Sequence, residues 1–332
     1  MTQSPQTESL TNATPTLLGR LGRRISRVEE IGVIGALLIM MIALSVTTTT
    51  FLTPTNLLQV ARQASYFGIM AIGMVFVMSM GDIDLSVGSI LMVTNIVAAL
   101  ALRDGQPVLV AILIGLATGA LCGFVNGVLS VILRIPTIIV TLGTLSIYRG
   151  LGLVISNAAP ISKFPKDNWF FTVAGGKILD VPSSVILMLS VAVLGYILYN
   201  QTAFGRRIQA IGSNLQAARF SGIRIARHRI LAMTLMGTIS ALAGLAALAF
   251  LQSADPTTGQ GFELLVIAST IIGGTALSGG SGSVPGAMIG ALIIAMIRNG
   301  LVLLGASAYW GLAATGAVII AAVALDYFIK RR

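Results

Sequence analysis

Two carboxylates stand two positions apart in Gly81-Asp82-Ile83-Asp84-Leu85-Ser86-Val87-Gly88-Ser89, a polar stretch between two apolar runs. On a helix that spacing sends them to different sides, a poor arrangement for acid/base work on one substrate atom. Two other roles fit. A carboxylate here can cap the helix beginning near Leu85, where free N–H groups and the positive dipole end meet it. Alternatively, the stretch is unwound backbone lining a watery path, the setting in which broken helices and intramembrane carboxylates are tolerated. The residues alone leave both open. A second interruption, Ser278-Gly279-Gly280-Ser281-Gly282-Ser283-Val284-Pro285-Gly286, looks like a phosphate-cradling loop. It lacks the Gly-Lys-Ser/Thr ending that reaches the β/γ-phosphates and Mg²⁺. It reads as a helix break and tight turn, with Pro285 suited to the first turn of the next helix. Gly176-Lys177 continues into Ile178, so no ATP-hydrolysing loop occurs there either. The expectation is a chain with no catalytic residues and no cofactor of its own. Cys122 is the single cysteine and lies within an apolar run, and His228 is the single histidine. Neither belongs to a metal-ligand cluster. His228, beside Arg227 and Arg229, reads as a solvated interface residue rather than a proton relay.

The elements that position these residues follow from composition. Of 332 residues 55% are hydrophobic and only 10% charged, and mean hydropathy is +0.93. Soluble domains carry about 25% charged residues, so soluble enzyme classes are excluded. Each membrane-spanning helix takes about 20 mainly apolar residues. Apolar segments fall at 31–51, 56–80, 83–102, 108–132, 136–156, 183–200, 229–251, 264–279, 284–304 and 309–329. The expected fold is an all-α polytopic membrane protein of about ten transmembrane helices. Low aromatic content and the lack of short alternation exclude a transmembrane β-barrel.

The net charge of +10 suggests topology rather than nucleic acid. Arg20, Arg23, Arg24 and Arg27 precede the first span; Arg206, Arg207, Arg219, Arg224 and Arg227 fill loop 201–228; Lys330-Arg331-Arg332 ends the chain. An even span count with both termini cytoplasmic puts all three clusters inside. The expected organisation is a partly disordered cytoplasmic tail at 1–30, a transmembrane domain at 31–329 and a basic cytoplasmic tail at 330–332. The loop 157–182, with Pro160, Pro165, Trp169 and Pro182, then lies outside.

Gly115, Gly119, Gly123 and Gly127 stack on one helix face, which lets a neighbouring backbone approach closely. Ordinary tight packing is the default for such stripes, and a sliding or dimer interface is the sharper reading. Arg62, Arg149 and Arg298 lie within apolar segments. They either snorkel to the interface or pair with Asp255 or Glu263 in an external gate. Deep polar residues are mostly neutral: Thr94, Asn95, Asn126, Thr141, Thr144 and Thr270. Asn, Thr and Ser groups suit a hydroxylated solute and build no ion relay. With Asp82, Asp84 and Ser86, they are the candidate path. A carrier without an ion relay takes its energy from another subunit, and loop 201–228 is the natural docking element.

The chain resembles the membrane permease subunits of ribose-type ATP-binding-cassette sugar importers over about residues 30–329. The resemblance rests on Gly68-Ile69-Met70-Ala71-Ile72-Gly73-Met74, on Asp82 to Ser89, and on Thr141-Leu142-Gly143-Thr144-Leu145 with Arg149-Gly150. It continues through Thr202-Ala203-Phe204-Gly205-Arg206-Arg207, Ala210-Ile211-Gly212-Ser213-Asn214, Ala217-Ala218, Ser221-Gly222-Ile223, Gly273-Gly274-Thr275-Ala276-Leu277, Asn299-Gly300-Leu301 and Asp326. Together these blocks are highly specific. The resemblance implies a bacterial inner-membrane permease paired with a second permease subunit, identical or different. It also implies an extracytoplasmic sugar-binding protein and a cytoplasmic ATPase subunit that holds ATP and Mg²⁺. By the same resemblance, Phe204, Gly205, Arg206, Arg207, Gly212 and Asn214 belong to the ATPase-coupling region. Segment 157–182 would meet the binding protein. Two positions depart from the family pattern, Asp82 where Gly is common and His228 where Lys is frequent. The competing expectations are a branched-chain amino acid permease of the same superfamily, which must engage a zwitterion, and a stand-alone carrier or channel.

Overall fold

The computed structural model describes residues 28–307 and scattered positions between 310 and 324. The N-terminal arginine cluster, most of the expected last span 309–329 and the tail 330–332 lie outside the described residues. Helices α1 (Val28–Thr47), α2 (Pro54–Ser79), α3 (Val87–Arg103), α4 (Val108–Leu133) and α5 (Thr137–Ser156) follow one another through short connections. A longer segment then holds a π-helical turn at Phe170–Ala174 and a two-stranded hairpin, β1 (Lys177–Ile178) with β2 (Val181–Pro182). After it come α6 (Ser183–Tyr196), extended by a π-helical turn at Ile197–Gln201, the short α7 (Ala203–Ser213) and α8 (Leu215–Phe220), then α9 (Ile225–Leu251), α10 (Phe262–Ile272) and α11 (Val284–Leu303).

Six of these elements are long and apolar enough to cross a membrane: α2, α4, α5, α6 with its π turn, α9 and α11. The apolar helices within α1, α3 and α10 are shorter. The chain is thus an all-α polytopic protein, its strands confined to one small hairpin among the described residues. Two expected spans are shorter than their apolar segments. Segment 83–102 becomes helical only at Val87, and segment 264–279 stops being helical at Ile272, where Gly273-Gly274 ends α10. At about 1.5 Å per residue, α10 rises only about 16 Å, half a hydrocarbon core.

Helix α2 is the central post. From Phe67 to Met78 it is apolar all round, and every residue from Phe67 to Ser79 is buried. Around it pack α9, α11, α6, α10 and α7. Helices α4 and α5 instead expose large apolar side chains, among them Leu113, Leu121, Ile139, Leu142, Ile147 and Val154. Water would not tolerate that surface, and lipid or another membrane chain would. Lipid supplies little hydrophobic drive between helices, so close contact must come from small residues. The glycine stripe of α4 meets α9 in this way. A Cβ on Gly119 would lie 2.5 Å from the Gly237 carbonyl oxygen, one on Gly127 2.7 Å from the Ile230 Cα, and one on Gly123 would overlap the Met233 carbonyl. Gly115, at the other end of the stripe, faces Leu245, Thr94 and Ala98.

Candidate functional site

The break between α2 and α3 gathers several of the candidate residues. Gly81, at φ +78°, turns the chain out of α2, and the Asp82 N–H donates to the Val77 carbonyl at 3.2 Å. The Asp82 carboxylate then bridges two helices. Its Oδ1 accepts from Thr137 Oγ1 at 2.9 Å, at the start of α5, and its Oδ2 receives Arg229 Nε at 2.7 Å, in the first turns of α9. Thr141, the next turn of α5, donates to the Ile83 carbonyl at 3.3 Å.

Asp84 is fully buried. Its Oδ1 accepts from the Ser86 N–H at 2.8 Å and from the Ser86 hydroxyl at 2.6 Å, while Oδ2 has no partner. Ser86, the residue before α3, accepts from Asn126 Nδ2 at 2.8 Å, and Asn126 Oδ1 accepts from the Tyr148 hydroxyl at 3.0 Å. A chain of buried polar groups therefore runs from the break through α4 to α5. Tyr148 was not singled out from the sequence; its signal was helical spacing from Thr141 and Thr144, two turns and one turn earlier on α5. Thr144 is buried and donates to the Thr141 carbonyl at 3.4 Å. Thr270 turns back onto its own helix, donating to Val266 O at 2.7 Å, with Ala71 O at 3.4 Å. Asn95 is fully buried with neither amide atom partnered, and Thr94 and Ser240 hydroxyls are likewise unpartnered. Gly244 of α9 brings its backbone against the Leu91 carbonyl and Asn95 Oδ1.

The Gly/Ser interruption converges on the same break. Gly280 N–H donates to the Ser79 carbonyl at 2.9 Å, and a Cβ on Gly279 would lie 2.8 Å from the Gly81 nitrogen. Ser283 caps α11 by accepting from Gly286 N–H at 3.0 Å, and Pro285 occupies the first turn. Helix α7 sits on this junction. Gly205, Ile208 and Ile211 are its buried face, while Arg206 and Arg207 are exposed. A Cβ on Gly212 would strike the Ser79 carbonyl and lie 2.5 Å from the Gly280 nitrogen, and one on Gly205 would strike the Tyr199 carbonyl. Tyr199 hydroxyl meets Ser79 Oγ at 2.7 Å, so the end of α6 joins the junction too. Phe204 lies over Phe76 at 6.2 Å and His228 at 6.1 Å, and Asn214 caps α8 through Ala217 N–H at 2.9 Å. His228 is buried, its Nδ1 paired with the Arg224 carbonyl at 2.8 Å, and so is not the solvated residue expected. Beside it opens a cleft of about 560 Å³ lined by Phe204, Arg207, Ser221, Arg224, Arg227 and Leu231.

On the other side of the break, the chain after α9 turns back into the body. Helix α9 runs about 10 Å past Gly244, yet Gly259 returns to lie against Gly88, one turn before Leu91. Arg149 holds this returning loop by donating to the Pro256 and Thr258 carbonyls at 3.2 and 2.9 Å. Glu263 also lies against Gly88, its Oε2 2.9 Å from where a Cβ would sit. Asp255 folds locally, accepting from Thr257 N–H at 2.7 Å and Thr257 Oγ1 at 2.6 Å. Arg62 lies over the Phe250 ring at 3.9 Å, and Arg298 over Phe67 at 5.9 Å. Among the described residues the ion pairs within 4.0 Å are Arg103–Asp104 and Arg229–Asp82. Of the five residues expected at an external gate, Arg149 thus takes loop carbonyls, Arg62 and Arg298 aromatic rings and Asp255 its neighbour Thr257, while Glu263 and Arg149 interact electrostatically without a direct ion pair.

The family model for the permease component of branched-chain amino acid transport systems matches residues 56–323. The ribose import permease protein of Bacillus subtilis (strain 168) is 40% identical over 298 residues, 90% of this chain and 92% of the relative. The ribose import permease protein of Escherichia coli (strain K12) is 38% identical over 296 residues, 88% and 91% of the two chains. The D-allose transport system permease protein of the same strain is 39% identical over 282 residues, 85% and 86%. No solved structure matches the chain. With the match spanning both helix breaks, α7 and the returning loop, the chain belongs to this permease family of multi-pass bacterial inner-membrane proteins.

Proposed function

We propose that this chain is the membrane permease subunit of an ATP-driven, binding-protein-dependent importer for a neutral monosaccharide or related polyol. The observation that carries the coupling is the seat of α7: a helix with exposed arginines rests, by backbone contact at Gly212, on the junction of both helix breaks. A partner that moves α7 therefore acts directly on Ser79 and Gly280. The arginine-lined cleft beside α7 gives an acidic patch of an ATPase subunit a complementary face. ATP and Mg²⁺ belong to that partner, and this chain contributes no nucleotide chemistry.

The buried polar groups favour a sugar over a zwitterion. Asp84 is the sole fully buried charged side chain among the described residues, and the unpartnered groups of Thr94, Asn95 and Ser240 are neutral. Hydroxyls satisfy such groups without importing charge into a low-dielectric interior. The substrates named for the ribose and allose relatives are of this class. In this reading the chain has about ten spans, with both termini and α7 cytoplasmic. Trp169 and the hairpin tip Leu179, exposed apolar residues of segment 157–182, face the sugar-binding protein. A second permease subunit completes the path.

The test is uptake of labelled ribose and allose into vesicles containing the chain, its ATPase subunit and the loaded binding protein. ATP-dependent uptake that requires all three is expected. Uptake by the purified chain alone would refute the coupled reading and favour a carrier, and uptake of leucine but neither sugar would favour the amino acid alternative.

A further inference from the structure

We infer that Asp82 is a positioning residue that couples the foot of α9, directly after the α7–α8 segment, to the break between α2 and α3. The inference rests on the importer reading above.

Each carboxylate oxygen of Asp82 is committed to a different helix, Oδ2 to Arg229 of α9 at 2.7 Å and Oδ1 to Thr137 of α5 at 2.9 Å. Its own backbone N–H is tied to Val77 of α2. The Asp82 side chain is 10% exposed and that of Arg229 26% exposed, so water competes weakly for the pair. A rigid-body shift of the α9 foot has two outcomes: it drags residues 82–86 with it, or it breaks a charge-assisted hydrogen bond. Dragging is transmitted inward, because the Ile83 carbonyl is held by Thr141 and Ser86 by Asn126. The line of contacts runs from Arg229 through Asp82 to Ser86, Asn126 and Tyr148. An ordinary surface ion pair differs in having both partners exposed and no onward chain, and it contributes little.

The experiment uses the assembled complex in vesicles and reads sugar transported per ATP hydrolysed, with hydrogen exchange of the amides at 82–86 in the purified permease as a second readout. D82N keeps an acceptor for Thr137 and removes the charge. Expected results are uptake lowered about tenfold with ATP hydrolysis changed less than twofold, and exchange at 82–86 raised. R229K, which keeps the charge, should stay within about threefold of wild type. The reversed pair D82R/R229D should recover part of the lost coupling. A wild-type transport-to-hydrolysis ratio in D82N would overturn the inference. So would a parallel fall of uptake, hydrolysis and thermal midpoint with no rescue by the reversed pair. Failure of the unaltered complex to transport with ATP would instead overturn the importer reading; unchanged exchange in D82N would still overturn the clamp.

Discussion

Gly212→Ala sets packing against helix propensity, because the two predict opposite signs. Gly212 is one residue from the end of α7, and alanine is about 1 kcal/mol better than glycine within a helix. Propensity alone makes the variant more stable. The added methyl, however, falls on the Ser79 carbonyl, 2.5 Å from the Gly280 nitrogen and 2.9 Å from the Ser79 carbonyl carbon. Carbon contacts relax at about 3.5–4.0 Å, so α7 must withdraw by about 1 Å, and the atoms it meets are backbone that cannot swing aside. Overpacking of this kind costs about 1–3 kcal/mol. The wedge also opens the hydrogen bond from Gly280 N–H to the Ser79 carbonyl, 2.9 Å long, worth about 1 kcal/mol. Set against the helix gain, the net is about 1–3 kcal/mol against the seated position of α7. That is about 5- to 150-fold in the ratio of seated to unseated α7, at tenfold per 1.4 kcal/mol.

The assay is ATP-driven sugar uptake in vesicles, paired with ATP hydrolysis and with far-ultraviolet circular dichroism to monitor helix content. The expectation is lower uptake, by up to the full shift in that ratio, with helix content unchanged. Wild-type uptake with a higher thermal midpoint would refute the argument, showing that propensity governs this position and that α7 does not bear on the junction.

Three further outcomes follow from the same geometry. Gly143→Ala, on an exposed face of α5 with no heavy atom within 4 Å of the new methyl, should stabilise the protein by about 0.5–1 kcal/mol without altering uptake; a loss of uptake would reveal a second chain packed there. Ser86→Ala removes the hydroxyl on which Asp84 and Asn126 converge, and should cost about 1–3 kcal/mol as a lower unfolding midpoint in detergent, whereas an unchanged midpoint would mean the network contributes nothing. Arg149→Lys leaves a single ammonium where a guanidinium nitrogen now serves two carbonyls, and should increase proteolysis at 255–261 by about tenfold if loop opening becomes easier by about 1.4 kcal/mol.

The sequence carried the fold class because hydropathy reports on burial in lipid or protein, and it marked both breaks because Gly, Ser and Asp interrupt apolar runs. The cap of α11 was legible for a local reason, Ser283 and Pro285 adjoining within one turn. What escaped was long-range. Asp82 and Arg229 are 147 positions apart, and an ion pair has no sequence signal when its partner could be any of several arginines. The end of α10 escaped for another reason: Ala276 and Leu277 follow the Gly273-Gly274 stop closely enough to prolong the apolar segment, whether or not they are helical. The returning loop after α9 was equally hidden, since its seat on Gly88 is a backbone contact. Arg149 was expected to find water or a carboxylate; its hydrogen bonds to the carbonyls of that loop had no local signal, although Glu263 lies within electrostatic reach of it.

The two breaks satisfy each other, and this constrains how they can move. A helix that stops within a protein leaves orphan carbonyls and N–H groups that must find partners. Here the Ser79 carbonyl at the end of α2 accepts from Gly280, while Ala276 N–H is met by the Ser281 carbonyl within the Gly/Ser turn. Moving one break without the other orphans buried groups at about 1–3 kcal/mol each. Moving them together preserves the bond. The junction of residues 79–82 with 278–282 is therefore the smallest unit that shifts cheaply, and Gly212 seats α7 on that unit rather than on either break alone. A force on α7 is delivered to both interrupted helices at once. On the far side, the first turn of α3 carries the displacement to Gly88 and the loop that Arg149 holds. In the importer reading proposed above, a shift of this one junction would move both interrupted helices without breaking the bond between them.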